Sequence, residues 1–117
     1  MKKRAAVARA LAMDPEILLF DEPSAGLDPI IAAGIDELIL ELKRAFADMS
    51  IVVVTHELAS AFHIADRIAM VDKGRIIAIG GREEIRSSTN PRVRQFLDRV
   101  PDTVSADQEA FLERLIE

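Results

Sequence analysis

Apolar residues form two short continuous runs joined by one long periodic stripe. The runs, residues 17–20 and 51–55, have the length and apolar character of strands buried on both faces. Between them, apolar residues recur every three or four positions and predict an amphipathic helix over residues 30–46. This stripe consists of Ile31, Ile35, Leu38, Ile39, Leu42 and Phe46. Because a strand, a helix and a second strand form a βαβ unit, we expect the two strands to be parallel.

Shorter elements are predicted on either side of this unit. Residues 1–13 are rich in Ala, Lys and Arg and favour a helix that ends at Asp14-Pro15. A short helix is expected from Leu58 to Ala65. Two apolar segments, residues 67–71 and 75–79, flank Asp72-Lys73-Gly74 and predict a β-hairpin.

The C-terminal part is predicted to contain small helices and a linker. Residues 83–86 and 92–99 favour short helices, residues 101–107 a linker, and residues 107–116 a last helix. The apolar side of that helix needs a surface to cover it, either on its own domain or on a second subunit. We therefore expect an α/β fold in which residues 1–100 form the main domain and residues 101–117 a linker and helix.

Composition limits the classes of protein to consider. The chain has 117 residues, of which 50% are hydrophobic and 30% charged, as in a globular domain. Its net charge of −5 includes no basic footprint, so we expect no nucleic-acid partner. No apolar run approaches the roughly 18 residues of a membrane span, and the absence of cysteine excludes thiolate metal sites.

Carboxylates and a histidine follow the two predicted strands. Asp21-Glu22 comes directly after the first, and His56-Glu57 after the second. Both pairs should reach the carboxyl edge of a parallel sheet, where open α/β folds bind ligands. Mg²⁺ prefers one or two carboxylates with waters and phosphates, which suits Asp21. Glu22 could orient or deprotonate a water molecule, and His56 could donate to a phosphate.

Each of these features is also common in proteins without such chemistry. An acidic pair after a strand is often a solvated turn, and a histidine in that position is often only a hydrogen-bonded turn residue.

Gly26 allows a tight turn, and Asp28 with Pro29 predicts the start of a helix. His63, in the middle of a predicted helix, receives no role.

The order and spacing of these segments resemble the ATP-binding cassette (ABC) proteins. Residues 17–23, ILLFDEP, resemble their Walker B segment, and residues 24–28, SAGLD, resemble their D-loop. Residues 53–56, VVTH, are similar to the segment that carries their switch histidine. Residues 4–12 resemble the helix after the ABC signature, and residues 67–76 the terminal hairpin of the domain.

The resemblance implies a partial P-loop NTPase fold and a role for each candidate residue. Asp21 would aid Mg²⁺ through water, Glu22 would be the catalytic base, and His56 would sense the γ-phosphate of ATP. Asp28 would lie beside the nucleotide at a subunit interface. The implied partners are a second ATP-binding subunit, forming a homodimer, and a membrane permease, at the cytoplasmic face of the inner membrane.

A finer resemblance concerns the transported substrate. Residues 1–4, residues 28–30 and residues 91–98 are similar to the Mla/toluene-tolerance branch, which powers phospholipid transport across the Gram-negative envelope. One alternative is the ATPase of another importer, for example of amino acids. A second alternative is a truncated, non-catalytic module that only pairs with full-length subunits.

Several parts of the family pattern do not occur in this sequence. The phosphate-binding G-x-x-x-x-G-K-[ST] segment, the Leu-Ser-Gly-Gly signature, the adenine-stacking aromatic and the Q-loop glutamine are all missing. We therefore expect the C-terminal part of a nucleotide-binding domain, unable to hydrolyse ATP by itself. Part of the cover over its strands would also be missing, which would expose apolar surface at Leu18, Phe20, Val52 and Val54.

Overall fold

The computed structural model describes residues 2–99 and 114–116. These residues form two compact units, Met1–Ile68 and Ala69–Glu117, which we describe separately. The elements follow one another as α1 (Lys2–Leu11), β1 (Ile17–Asp21), α2 (Pro29–Ala45), β2 (Ser50–Val54), α3 (Leu58–Ile64), β3 (Ile68–Asp72), β4 (Arg75–Gly80), α4 (Arg82–Arg86) and α5 (Pro91–Asp98). The mixed α/β fold predicted from the sequence is confirmed.

The first unit is built on a parallel pair of strands. β1 and β2 pair in register from Ile17 with Ser50 to Asp21 with Val54, which confirms the predicted βαβ unit. The amide of Glu22 donates to the carbonyl of Val54 at 2.7 Å and extends the ladder by one residue. The paired backbone therefore continues up to the carboxylate that the sequence singled out.

One face of the β1–β2 pair packs against helices α2 and α3. Ile35 and Ile39 of α2 and Ile64 of α3 are buried and form the core of the unit. Three side chains of the strands pack on this core from the sheet, namely Phe20, Ile51 and Val53. Leu18, on the same face, is 7% exposed.

The expectation that both strands are buried on both faces is wrong for the described residues. Ile17 and Leu19 are 65% and 64% exposed, and Val52 and Val54 are about half exposed. The reason is the two-residue period of a strand: only alternate side chains face α2 and α3, and no described element covers the others. Of the four side chains expected to lose cover, Val52 and Val54 do so, whereas Leu18 and Phe20 are held by the core.

The turn after β1 leads directly into α2. Gly26 has φ of +75°, a left-handed conformation that glycine adopts without steric cost. Asp28 then caps α2, because its Oδ1 accepts the amides of Ile30 and Ile31 at 2.9 and 3.0 Å. Pro29 occupies the first helical position, as predicted.

The second unit is a hairpin carrying two short helices. β3 and β4 pair through Lys73-Gly74, whose φ angles of +50° and +75° are those of a type I′ turn. Ile85 of α4 and Val93 of α5 are almost completely buried. Asn90 caps α5, and Arg92 binds Asp72 with two nitrogens while lying 4.7 Å from the Phe96 ring centroid.

Part of the predicted C-terminal region lies outside the described residues. This applies to the linker of residues 101–107 and to most of the helix predicted over residues 107–116, of which residues 114–116 are described and helical. The domain boundary proposed at residue 100 stays a prediction. Within the described part of the chain, no helix has both the length and the apolar character needed to cross a membrane.

Candidate functional site

The carboxyl ends of β1 and β2 bring Glu22 and His56 into contact. The ring Nδ1 of His56 lies against Oε1 of Glu22, and the backbone amide of His56 donates to Oε2 of Glu22 at 3.4 Å. Both groups are presented by the residues that follow paired strands. The prediction that the two segments meet at one edge of the sheet is therefore confirmed for Glu22 and His56.

Glu22 is held in an uncommon backbone conformation. Its φ is +46°, in the left-handed region that residues other than glycine seldom enter. The bond from its amide to Val54 fixes the chain at this point. Conformations of this kind persist where the surroundings enforce them, and they concentrate at functional sites. Asp14, Lys73 and Arg99 have similar angles at a turn or helix end, so the conformation fixes the chain direction at Glu22 without identifying a function.

The two carboxylate oxygens of Glu22 have different surroundings. Oε1 is sealed from solvent and accepts no hydrogen bond of regular geometry from a described residue, although the His56 ring lies against it as an ion-pair contact. Buried acceptors are normally satisfied, so an unsatisfied one needs an explanation. The described neighbour of this oxygen is Nδ1 of His56, which can donate to it in the appropriate tautomer.

His56 projects almost entirely into solvent. Its side chain is 94% exposed, compared with 27% for Glu22. The ring is therefore not held by packing, and its described contact is with the Glu22 carboxylate. An exposed imidazole at the edge of a parallel sheet remains accessible to a phosphate group.

Asp21 is exposed and ends β1 opposite Val54. Within residues 2–99 and 114–116, no cluster of three or more His, Cys, Asp or Glu side chains is arranged to hold a metal ion. Mg²⁺ in nucleotide sites needs only one or two carboxylates, since water and phosphate supply its other ligands. A single exposed carboxylate such as Asp21 fits an ion that arrives with a nucleotide.

Asp28 caps a helix, whereas the side chain of Glu57 does not. The Asp28 carboxylate is occupied by the α2 cap, which leaves its predicted place at a subunit interface untested. Glu57 is the N-cap residue of α3 but makes no side-chain cap bond, and its amide instead donates to Oγ1 of Thr55 at 3.0 Å. Glu57 is exposed beside His56.

A shallow groove of about 330 Å³ lies next to the site. Ser24 and Leu27 line it from the turn after β1, Asp36 from α2, and Glu57 and Ser60 from the start of α3. The hydroxyl of Ser60 donates to Oδ1 of Asp36 across this groove. The sequence analysis missed this pair, since neither residue belongs to a motif and only the fold brings α2 and α3 together.

Two further polar pairs connect the same part of the structure, and one of them involves the histidine that received no role. Nε2 of His63 lies 3.1 Å from Oε1 of Glu37, and Nζ of Lys43 lies 2.6 Å from Oδ1 of Asp66. All three pairs connect α2 with α3 or with the residues directly after it. His63 is thus a surface partner of α2.

Comparison with known proteins shows what the chain is similar to. The chain is 41% identical to the L-cystine import ATP-binding protein TcyN of Bacillus subtilis over 98% of its own length and 44% of that protein. It is 40% identical to the intermembrane phospholipid transport system ATP-binding protein MlaF of Escherichia coli over 87% of the chain and 38% of that protein. No family model matches the chain.

A solved structure supports the same relationship. The fold superimposes on cbiO1 of Clostridium perfringens, part of the ABC transporter complex cbiONQ, with a TM-score of 0.67 and 32% identity over 85% of this chain and 40% of that one. The chain therefore spans less than half the length of each of these relatives. The fold is that of part of a P-loop type α/β nucleotide-binding domain. Over the length that it shares with these relatives, the chain belongs to the ATP-binding subunits of ABC transporters.

Proposed function

We propose that this chain supplies the hydrolysis residues of an ABC transporter ATP-binding subunit. Glu22 is the general base that removes a proton from the attacking water, and His56 contacts the γ-phosphate. Asp21 binds Mg²⁺ through water, and Asp28 lies beside the nucleotide at the interface with a second ATP-binding subunit. The observation that carries this proposal is the contact between the sealed Oε1 of Glu22 and the exposed ring of His56.

The division of tasks follows from the exposure of each group. A general base must contact the water that it deprotonates, and the Glu22 side chain, fixed at the end of β1 and 27% exposed, is placed to do so. The γ-phosphate contact needs a donor that reaches outwards, and His56 is 94% exposed. Mg²⁺, when it arrives with ATP, would neutralise charge on the phosphates. Without it, the acidic side chains at this edge would repel a polyphosphate.

Phosphate binding itself requires groups that this sequence does not contain. In P-loop sites, backbone amides of a glycine-rich loop, a helix N-terminus and a lysine surround the phosphates. We propose that these come from the part of the nucleotide-binding domain that the relatives contain beyond the match. Residues 1–117 joined to that part are called the complete subunit.

The partners and location follow from the family. The complete subunit would pair with a second copy and drive a membrane permease from the cytoplasmic face of the inner membrane. We propose phospholipid as the transported substrate, because residues 91–98 resemble the Mla branch and MlaF is among the similar proteins. Import of an amino acid is the second candidate, since TcyN, an L-cystine importer subunit, is equally similar at 41% identity.

The test of the hydrolytic role is Glu22→Gln in the complete subunit. The amide keeps the size of the side chain but cannot accept the proton of water, so ATP binding should persist while hydrolysis falls about 10²–10⁴-fold. Binding is measured by calorimetric titration with Mg-ATP and hydrolysis by phosphate release. Turnover close to that of the unsubstituted protein would remove Glu22 from this role.

The transported substrate is tested separately, by asking whether the complete subunit can substitute for MlaF or for TcyN in cells. The complete subunit is expressed in Escherichia coli lacking MlaF and in Bacillus subtilis lacking TcyN, and phospholipid transport and L-cystine uptake are measured. Restoration in the first strain alone supports the phospholipid assignment. Restoration of L-cystine uptake alone would replace it by the amino-acid candidate.

A further inference from the structure

The exposed His56 ring has to be oriented by the backbone that carries it. With 94% of its side chain in solvent, packing does not fix the ring. Its backbone lies in a three-residue connection between β2, which ends at Val54, and α3, which begins at Leu58. The β2 side of this connection is fixed by the ladder to β1. Besides the bond from its own amide to Oε2 of Glu22, the position of His56 therefore depends on where α3 begins.

The start of α3 is not fixed by its own cap. Glu57, the N-cap residue, makes no side-chain bond to the first turn. A bond from the Ser60 hydroxyl to Asp36 of α2 ties that turn to the rest of the unit. Asp36 directly follows Ile35, which is 6% exposed in the core. The carboxylate of Asp36, which accepts this bond, is therefore carried by a well-packed part of α2.

The other connections of α3 lie at its opposite end. Ile64 enters the core, His63 pairs with Glu37, and Asp66 pairs with Lys43 just after the helix. These contacts hold the last turn, whereas the Asp36–Ser60 bond holds the first. The bond is also part-buried and borders the groove that Ser24, Leu27 and Glu57 line, next to the His56 connection.

We propose that Asp36 is a positioning residue that sets the His56–Glu22 geometry through Ser60 and the first turn of α3. This inference rests on the proposed function, because it assigns Asp36 to the hydrolytic step and not to ATP binding. Losing the bond frees the first turn of α3 and displaces His56, while Glu22 stays tied to Val54. A displacement of about 1 Å at a reacting geometry can cost up to about 100-fold in rate.

The test measures kcat and KM for ATP, together with the melting temperature, in the complete subunit. Asp36→Ala and Ser60→Ala should each lower kcat by about 5- to 100-fold and leave KM within about twofold. Asp36→Asn and Ser60→Thr, which retain an acceptor and a hydroxyl, should restore most of the rate. The two alanine substitutions together should cost little more than either alone, because they remove the same bond.

Two further variants separate positioning from general stabilisation of α3. Glu37→Ala removes the polar pair to His63, which lies near the C-terminal end of α3, while Glu37 itself adjoins Asp36 on α2; it should leave kcat unchanged. In a His56→Ala background, Asp36→Ala should lower kcat by no more than about twofold, because the residue through which Asp36 acts is already gone. If Asp36→Ala does not fold, Ser60→Ala and Ser60→Thr make the same comparison.

Three results would overturn the inference. They are an unchanged kcat in both alanine variants, an equal fall in Glu37→Ala, or a full additional loss in the His56→Ala background. Glu22→Gln in the same assay distinguishes these from failure of the proposed function. If that variant abolishes hydrolysis, only the role of Asp36 is refuted; if it retains turnover, the hydrolytic assignment is refuted and this inference with it.

Discussion

His56 Nδ1 lies against Glu22 Oε1, although the two residues are 34 positions apart in the chain. The contact exists because β1 and β2 are parallel and their register ends at Asp21 and Val54. It joins a side chain that is 94% exposed to a carboxylate oxygen that solvent does not reach. A single-residue slip of one strand would separate the two groups.

The first prediction concerns His56. In the complete subunit, His56→Ala should lower ATP turnover substantially, because it removes the proposed γ-phosphate contact. The melting temperature should change little, since the side chain is 94% exposed and buries almost no area. Phosphate release and thermal unfolding measure the two effects. A variant that melts at a lower temperature yet retains turnover would identify His56 as a structural residue.

The second prediction concerns the cap of α2. Asp28→Ala removes the acceptor for the amides of Ile30 and Ile31, which should lower the free energy of unfolding by about 1 kcal/mol. Asp28→Asn keeps a capping oxygen and should restore most of this loss. Urea denaturation of the complete subunit measures the change. If Asp28→Asn keeps the stability but lowers dimer formation with Mg-ATP, the carboxylate itself serves the proposed subunit interface.

The third prediction concerns the uncovered face of the β1–β2 pair. Ile17, Leu19, Val52 and Val54 lie exposed together on it, so the 117-residue chain by itself should self-associate. Leu19→Lys should reduce association, as measured by sedimentation at several concentrations. Ile30→Lys is the matched control, because Ile30 is 85% exposed on α2, away from this face. Equal effects of the two substitutions would mean that added charge alone is responsible.

The fourth prediction is that the 117-residue chain alone neither hydrolyses ATP nor binds it with micromolar affinity. Its sequence has no glycine-rich loop and lysine to surround the phosphates, and the site at the strand ends is acidic. Calorimetric titration with Mg-ATP and a phosphate-release assay test this. Micromolar binding, or turnover that disappears in Glu22→Gln, would contradict it, and would also argue against a merely non-catalytic module.

Much of the secondary structure is encoded locally and was therefore predictable. The stripe of α2, its Asp28-Pro29 start and the Lys73-Gly74 turn depend on residues a few positions apart, and the structure agrees with each within one or two residues. The parallel pairing of β1 with β2 also followed from the sequence, because a connection as long as α2 favours it. That pairing was enough to predict that Glu22 and His56 lie at the same edge of the sheet, at the carboxyl ends of the two strands.

Local pattern could not determine which apolar side chains are covered. Leu18 and Leu19 are neighbours of the same chemical type, yet one is 7% and the other 64% exposed. The difference arises because α2 and α3 pack on one face of the strands only, which depends on the whole arrangement and not on either residue.

The sequence by itself determined the elements, the strand pairing and the candidate residues Asp21, Glu22, Asp28 and His56. Only the tertiary structure decided the sealed oxygen of Glu22, its left-handed backbone and the Asp36–Ser60 bond. The physical reason is the range of the interactions. Helix periods, caps and turns act between near neighbours, whereas burial and side-chain bonds between elements arise when segments more than 20 residues apart are brought together.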